Sequence, residues 1–258
     1  MTRISTPLKC LGVVVLSALA LSACGREEAS PLATETRELA GFTAIDLEGA
    51  ASVDVTVGAE HRVEIEAPQR IIDRIETAVE GDKLVIRTRL KDWISTTGSS
   101  RVALRISLPE LASLRVDGGN DVQLHGFSGG EASIRADGAA QIRATGALDS
   151  LRVYFAGAGD GDFRELVASD AHVRVDGVGN VVVHATQSLD ATMNGVGSIR
   201  YTGNPSSVNT HMNGLGRIAR FERGRDGDEE AAESHESEAA DTAHTPAAVG
   251  ELASGEVI

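Results

Sequence analysis

Three patterns in this 258-residue chain have the residue types of reactive sites. Gly126-Phe127-Ser128-Gly129-Gly130 matches the G-x-S-x-G arrangement of a serine nucleophile, which needs a strand, a sharp turn and then a helix. Ser128 is followed instead by the strand-like run ASIRA, so the pattern carries no nucleophile. His172-x-x-x-Asp176-Gly177 has the spacing of a histidine base beside a carboxylate. The same slots upstream read Ser113 to Gly118 and Ser133 to Gly138, so the histidine is one substitution in a repeated segment. The third pattern is a column of short polar residues before recurring glycines: Asp117, Asp137, Asp176, Asn194 and Asn213, interrupted by Ala156. Such side chains ordinarily bond turn amides two residues on. The rival chemistry is calcium, because carboxylates on adjacent rungs about 4.8 Å apart can share an ion. Asp117 and Asp137 are the first candidates, with Asp160 and Asp162 beside them, although the strict nine-residue calcium repeat is not reproduced.

The elements that position these residues are repeats. The lead glycines Gly118, Gly138, Gly157, Gly177, Gly195 and Gly214 are spaced 20, 19, 20, 18 and 19 residues apart. On either side, aliphatic residues alternate with polar ones, as in Leu114, Val116, Val122 and Leu124, or Val173, Val175, Val181 and Val183. Period two means strands with one buried face. Second glycines at Gly126, Gly146 and Gly203 supply a return corner, where positive φ or a missing Cβ is needed. A unit of this length is too short for a βαβ crossover, which takes roughly 30 residues, and cannot bury a core alone. The expectation is therefore an all-β fold, a single-stranded β-helix with coils of about 19 residues. The segment 42–58 fits the template around Gly49 and is expected to begin the solenoid. The runs at 62–66, 83–89 and 101–108, with a short helix or irregular edge near Ile71 to Ile75, are then less regular coils between it and Gly118.

Both ends are different material. A basic start (Arg3, Lys9), an apolar run from Leu11 to Ala20, and Leu21-Ser22-Ala23-Cys24 form a secretion signal too short to span a bilayer of about 30 Å. The small residues before Cys24 resemble a bacterial lipobox, in which that thiol is acylated. This implies a signal peptide over 1–23, membrane attachment through Cys24, a polar tether over 24–38 and, with Gly25 following, an outer-membrane destination. Cys10 lies in the removed segment, so the mature chain has no cysteine pair. Residues 222–258 hold eleven Asp or Glu against two Arg and few large apolar residues; they read as an acidic disordered tail. A net charge of −14 argues against nucleic acid as a partner.

The run GFTAIDLEGAASVDVTVG from Gly41, the LPELASLRVDGGNDV segment at 108–122 and the recurring G-x-G turns together resemble the head GIN domain (DUF2807-type) family of bacterial envelope proteins over residues 39–221. The resemblance implies a right-handed β-helix acting as an adhesin head, without catalytic residues or cofactor. Gly118, in GGN, and Gly138, in GAA, depart from the G-x-G form and are expected to make turns of another type. The outward arginines Arg115, Arg135 and Arg174 either grip an anionic glycan or pair with neighbouring Asp, and His125 and His184 lie three coils apart, too far to share a metal. No lysine follows Lys91, which removes Schiff-base chemistry from the repeats. The functional expectation is a lipid-anchored, non-catalytic adhesion or scaffold module with a glycan or protein ligand on its flat faces, able to form homo-oligomers. The alternatives are a lyase-like polysaccharide enzyme and an envelope signalling component.

Overall fold

The computed structural model describes residues 31–88 and 102–221. Cys24, the signal, most of the tether and the tail lie outside them. The described chain is a β-solenoid of about 5 turns with a spacing of about 20 residues, as the glycine spacing predicts.

The regular coils run through β8 (Ser113–Asp117), β9 (Gly119–Ser128), β10 (Glu131–Ala136), β11 (Ala139–Phe155), β12 (Ala158–Val175), β13 (Val178–Met193), β14 (Val196–Thr202), β15 (Ser207–Met212) and β16 (Leu215–Arg220). All stack in parallel. One face carries β8, β10, the second halves of β11, β12 and β13, and then β15; the other carries β9, the first halves of β11, β12 and β13, then β14 and β16. Alternate residues point inward and line up across rungs. Val116, Ala136, Phe155, Val175 and Met193 form one buried column. In the opposing column Ile142, Gly161, Val181 and Ile199 are in register. The glycine is there because two rings need its space: a Cβ on Gly161 would lie 2.6 Å from Phe163 Cε2 and 3.1 Å from Phe155 Cε2. Volume is thus conserved within one rung, as close packing requires.

The order of rungs differs from the order of the sequence. β2 (Ala44–Glu48) and β3 (Ala51–Val57) pair directly with β8 and β9, so the segment around Gly49 is an internal rung. The residues between 62 and 108 do not intervene. They build the far side of that rung, with β6 (Lys83–Thr88) on β2 and β7 (Ala103–Leu108) on β3. Beyond them, β5 (Ile75–Glu80) pairs antiparallel with β6, and β4 (Arg62–Pro68) antiparallel with β7. This reversal ends the parallel stack. The one-turn helix α1 (Gln69–Ile72) joins β4 to β5 and buries Ile71 and Ile72.

Residues 32–37, expected within the tether, are instead an edge strand, β1 (Leu32–Arg37), antiparallel to β4. Arg37 donates to the Ile75 carbonyl at 2.6 Å and Thr77 Oγ1 at 2.7 Å, tying one face to the other across the end. Charged edges such as Glu35, Glu76 and Glu80 oppose further pairing there. The other end has no such lid among the described residues. Every residue of β15 is exposed, including Val208 and Met212, which continue the inward columns of Leu189 and Met193.

Candidate binding surfaces

The lead glycines line one corner of the stack, but the reason differs along it. Gly118 has φ +112°, and a Cβ there would lie 2.0 Å from the carbonyl oxygen of Gly49. From Gly138 onward the lead glycines lack a left-handed φ. Close approach selects them: a Cβ on Gly138 would come within 2.3 Å of the Gly118 backbone, on Gly157 within 1.9 Å of the Gly138 oxygen, and on Gly177, Gly195 and Gly214 within 1.7, 1.7 and 1.9 Å of the oxygen one rung below. Gly118 is therefore a turn of another type, as expected; Gly138 is not. The second glycine of G-x-G is equally crowded, since a Cβ on Gly179 or Gly197 would lie 1.8 or 1.9 Å from the preceding rung's oxygen.

Between the two glycine columns runs a row that period-two reading overlooks. Ala139, Ala158, Val178, Val196 and Leu215 are in register and point outward, and Val178, Val196 and Leu215 are 58%, 47% and 73% exposed. Bare backbone flanks this apolar ridge on both sides. Its signal was in the sequence as the middle residue of each G-x-G.

Next to it the polar column bonds across rungs rather than to its own turns. Asp137 accepts from Arg115 Nε and Arg135 Nε, both at 2.9 Å. Arg135 holds its carboxyl below the ordinary range against a burial effect that works the other way, with Arg115 adding to the lowering. At Asp176 burial acts to raise the pKa, but Asn194, Arg174 and Tyr154 outweigh it and the net direction is down. Tyr154 Oη donates at 2.8 Å and Asn194 Nδ2 at 2.6 Å. Asn213 Nδ2 then donates to Asn194 Oδ1 at 3.0 Å. Arg135 also lies over the Tyr154 ring, 4.3 Å from its centre. The outward arginines thus pair with neighbouring Asp. Arg135 and Arg174 are two residues from their Asp on the same rung, whereas Arg115, Tyr154 and Asn194 lie 22, 22 and 18 residues away on adjacent rungs, which no local turn rule reveals.

The calcium candidates do not converge. Asp117 and Asp137 sit at the lead corner, whereas Asp160 and Asp162 lie on the other face. Asp160 accepts from the Asn180 backbone N–H at 3.0 Å and from Asn180 Nδ2, and Ser198 Oγ donates to Asn180 Oδ1 at 2.8 Å, a second cross-rung ladder. Asp162 receives Arg164 through Nε at 2.8 Å and Nη2 at 2.5 Å, which lowers its pKa. Among the described residues no three His, Cys, Asp or Glu side chains form a metal-sized group. Asn120, the buried polar residue among those described, accepts from the Ala51 N–H and donates to the Gly49 carbonyl, both at 3.2 Å; it fastens the internal rung.

The apparent catalytic motifs also dissolve. Ser128 lies at the exposed end of β9, opposite Ala147. His172 stands outward in mid-strand between Arg152 and Asp190, while the Asp176 carboxylate is taken up by Tyr154, Arg174 and Asn194. His125 Nδ1 lies 3.2 Å from Thr145 Oγ1.

The described surface includes two concavities of note. One, of about 400 Å³, is a shallow dip on the first face around Arg152, Tyr154, His172, Arg174 and Asp190. The other, of about 350 Å³, crosses the second face. Gln141, Arg143, Asp160, Asn180 and Arg200 line it, and Phe221 closes one side with Arg164 and Arg200 stacked 5.7 and 5.3 Å from its ring centre. It combines cationic groups, an amide row and an aromatic ring on a rigid sheet.

Parallel rungs with surface rows that recur along the stack define a β-solenoid scaffold. The family model described as "Putative auto-transporter adhesin, head GIN domain" matches residues 41–205, and the chain belongs to that family. It is similar in fold to the crystal structure of a "putative adhesin" from Bacteroides fragilis, with TM-score 0.59 and 21% identity over 74% of this chain and 97% of that one. A second "putative adhesin", from Parabacteroides distasonis, gives TM-score 0.53 at 17% identity over 74% of this chain and 98% of that one. No curated protein matches the sequence.

Proposed function

We propose that the protein is a lipid-anchored, non-catalytic binding module of the bacterial cell envelope that engages an anionic glycan through the groove of Arg143, Gln141 and Asn180. The observation that carries this reading is the state of the carboxylates. Asp137, Asp162 and Asp176 are held ionised by hydrogen-bonded Arg, Tyr or Asn partners, which suits struts between rungs and not general acids, whose pKa must rise. Beside these struts the groove presents the Gln141 amide and the Arg143 guanidinium, next to Asn180 and Phe221. Attachment through Cys24 would place this scaffold at a membrane surface, and the family's description as adhesins supports a role in contact.

The test is binding of the intact mature chain to immobilised anionic and neutral polysaccharides, with R143E and N180A as variants. The expected result is selective capture of the anionic polymer, weakened at least about tenfold by R143E, the scale of a lost charge-assisted contact. The polymer's chain length should stay constant on incubation. Shortening of the polymer would overturn the non-catalytic reading, and capture indifferent to R143E would overturn the groove. Separately, C24S should move the protein from the membrane to the soluble fraction and abolish palmitate labelling.

A further inference from the structure

We propose that the open end of the solenoid, formed by β15 and β16, is the docking site of the chain's own C-terminal segment, residues 222–258, which lays an additional strand along that edge and masks it. The two ends of the stack are built differently. The first is closed by antiparallel strands, α1 and the Arg37 strap. The last rung leaves Val208, Met212 and Leu215 at 43%, 39% and 73% exposure, although the first two occupy inward positions. An exposed apolar edge strand with outward amides is a template for strand addition.

Charge selects the occupant. From Ala191 to Phe221 the sequence has Arg200, Arg217 and Arg220 and no Asp or Glu, in a protein whose net charge is −14. Residues 222–258, which follow directly, contain eleven acidic residues against two arginines. Their last ten residues, VGELASGEVI, hold Val249, Leu252, Val257 and Ile258, the apolar side chains this end lacks. The segment has 37 residues, more than the roughly 20 of one rung, so it is long enough to cross the end. Phe221 points the way, since the chain leaves the last rung stacked against Arg164 and Arg200. The segment's composition, rich in Glu, Ala and Ser, offers few apolar side chains for a core of its own. Tethering supplies the remainder: a covalent connection of this length gives an effective concentration of about a millimolar, which a second molecule does not reach at ordinary protein concentrations. A second copy meeting this end through its own identical end would also set arginine against arginine.

Docking of this kind makes the end a salt-sensitive, self-covered surface, closed in the isolated protein and available when a competing partner displaces the acidic segment. The docking edge adjoins the groove proposed above at Arg200 and Phe221, but it does not rest on ligand binding there.

The test is hydrogen exchange of the intact mature chain at two protein concentrations and at low and high salt. The variants are L252D/V257D, which removes the apolar strand, and E229Q/E230Q/E233Q/E236Q, which removes charge. Amides of β15 and β16 should exchange slowly in the parent at low salt and at least roughly tenfold faster in L252D/V257D, while β8 and β10 do not change. The neutralised variant should resemble the parent at high salt. Equal exchange in the parent and L252D/V257D overturns the proposal. So does protection that rises with protein concentration and survives L252D/V257D, because that result assigns the end to a second copy.

Discussion

Replacing Gly177 with alanine isolates the rule that holds the rungs together. Its backbone has no left-handed φ, so the added methyl acts through contact alone. That methyl would lie 1.7 Å from the Gly157 carbonyl oxygen, which also accepts the Val178 N–H at 3.0 Å. Relief to an ordinary contact of about 3.2 Å means moving one rung by about 1.5 Å, a third of the roughly 4.8 Å between strands. The bond at Val178 cannot survive that, and Asp176 N–H to Phe155 O, at 2.8 Å, is strained with it. A backbone group left without its partner costs about 1–3 kcal/mol and overpacking another 1–3. Taking about 4 kcal/mol as the middle, and about 2–4 °C per kcal/mol for a domain of this size, the melting temperature should fall by about 8–16 °C. Gly119→Ala is the matched control. It sits at the outward position of the same corner, its methyl would meet only Ala50 Cβ at 3.9 Å, and later rungs carry Ala139, Ala158 and Val178 there. It should be neutral or stabilising by up to about 1 kcal/mol. Thermal melts by circular dichroism, checked by urea unfolding, separate the two. A G177A protein melting within about 2 °C of the parent would refute the close-approach argument, because that shift is less than about 1 kcal/mol.

The remaining expectations follow from the same contacts. G161V should destabilise by about 1–3 kcal/mol through its collision with Phe163 and Phe155, and F155V/F163V in the same chain should recover part of that loss, as a double-mutant cycle would show. Asp137 and Asp176 have lowered pKa values when folded, so the unfolded chain binds protons first; the stability they contribute is full above about pH 4 and lost as pH falls through their folded values. Melting temperature against pH should show that decline, and D137N should flatten it. Calcium at millimolar concentration should leave the melting temperature unchanged, because the Asp137 and Asp162 oxygens are already bonded to arginine. A rise would restore the ion-binding reading of the carboxylates.

The regular half of the molecule was legible because its determinants are local and periodic. Alternation fixed which side chains of Ser113–Asp117 or Val178–Met193 face inward, and glycine spacing fixed the rung length. The binding surfaces were only half legible. The Arg and Asp columns could be listed from the repeat, but whether Asp137 would turn to its own corner, to an ion or to Arg115 depends on side chains one rung away.

The amino-acid order alone established a stacked β architecture and its corners, since each follows from a pattern repeated within about 20 residues. The tertiary structure alone decided the order of stacking. Nothing near Gly49 announces that its neighbour is Gly118, 69 residues on, joined by Gly49 N–H to Asp117 O at 2.8 Å. It also decided why glycine is required at the lead corner from Gly138 onward, which is the backbone of the rung beneath and not its own φ. Finally, it decided which end is shut, because closure depends on strands that reverse direction, and exposure of Val208 and Met212 depends on what lies above them in space.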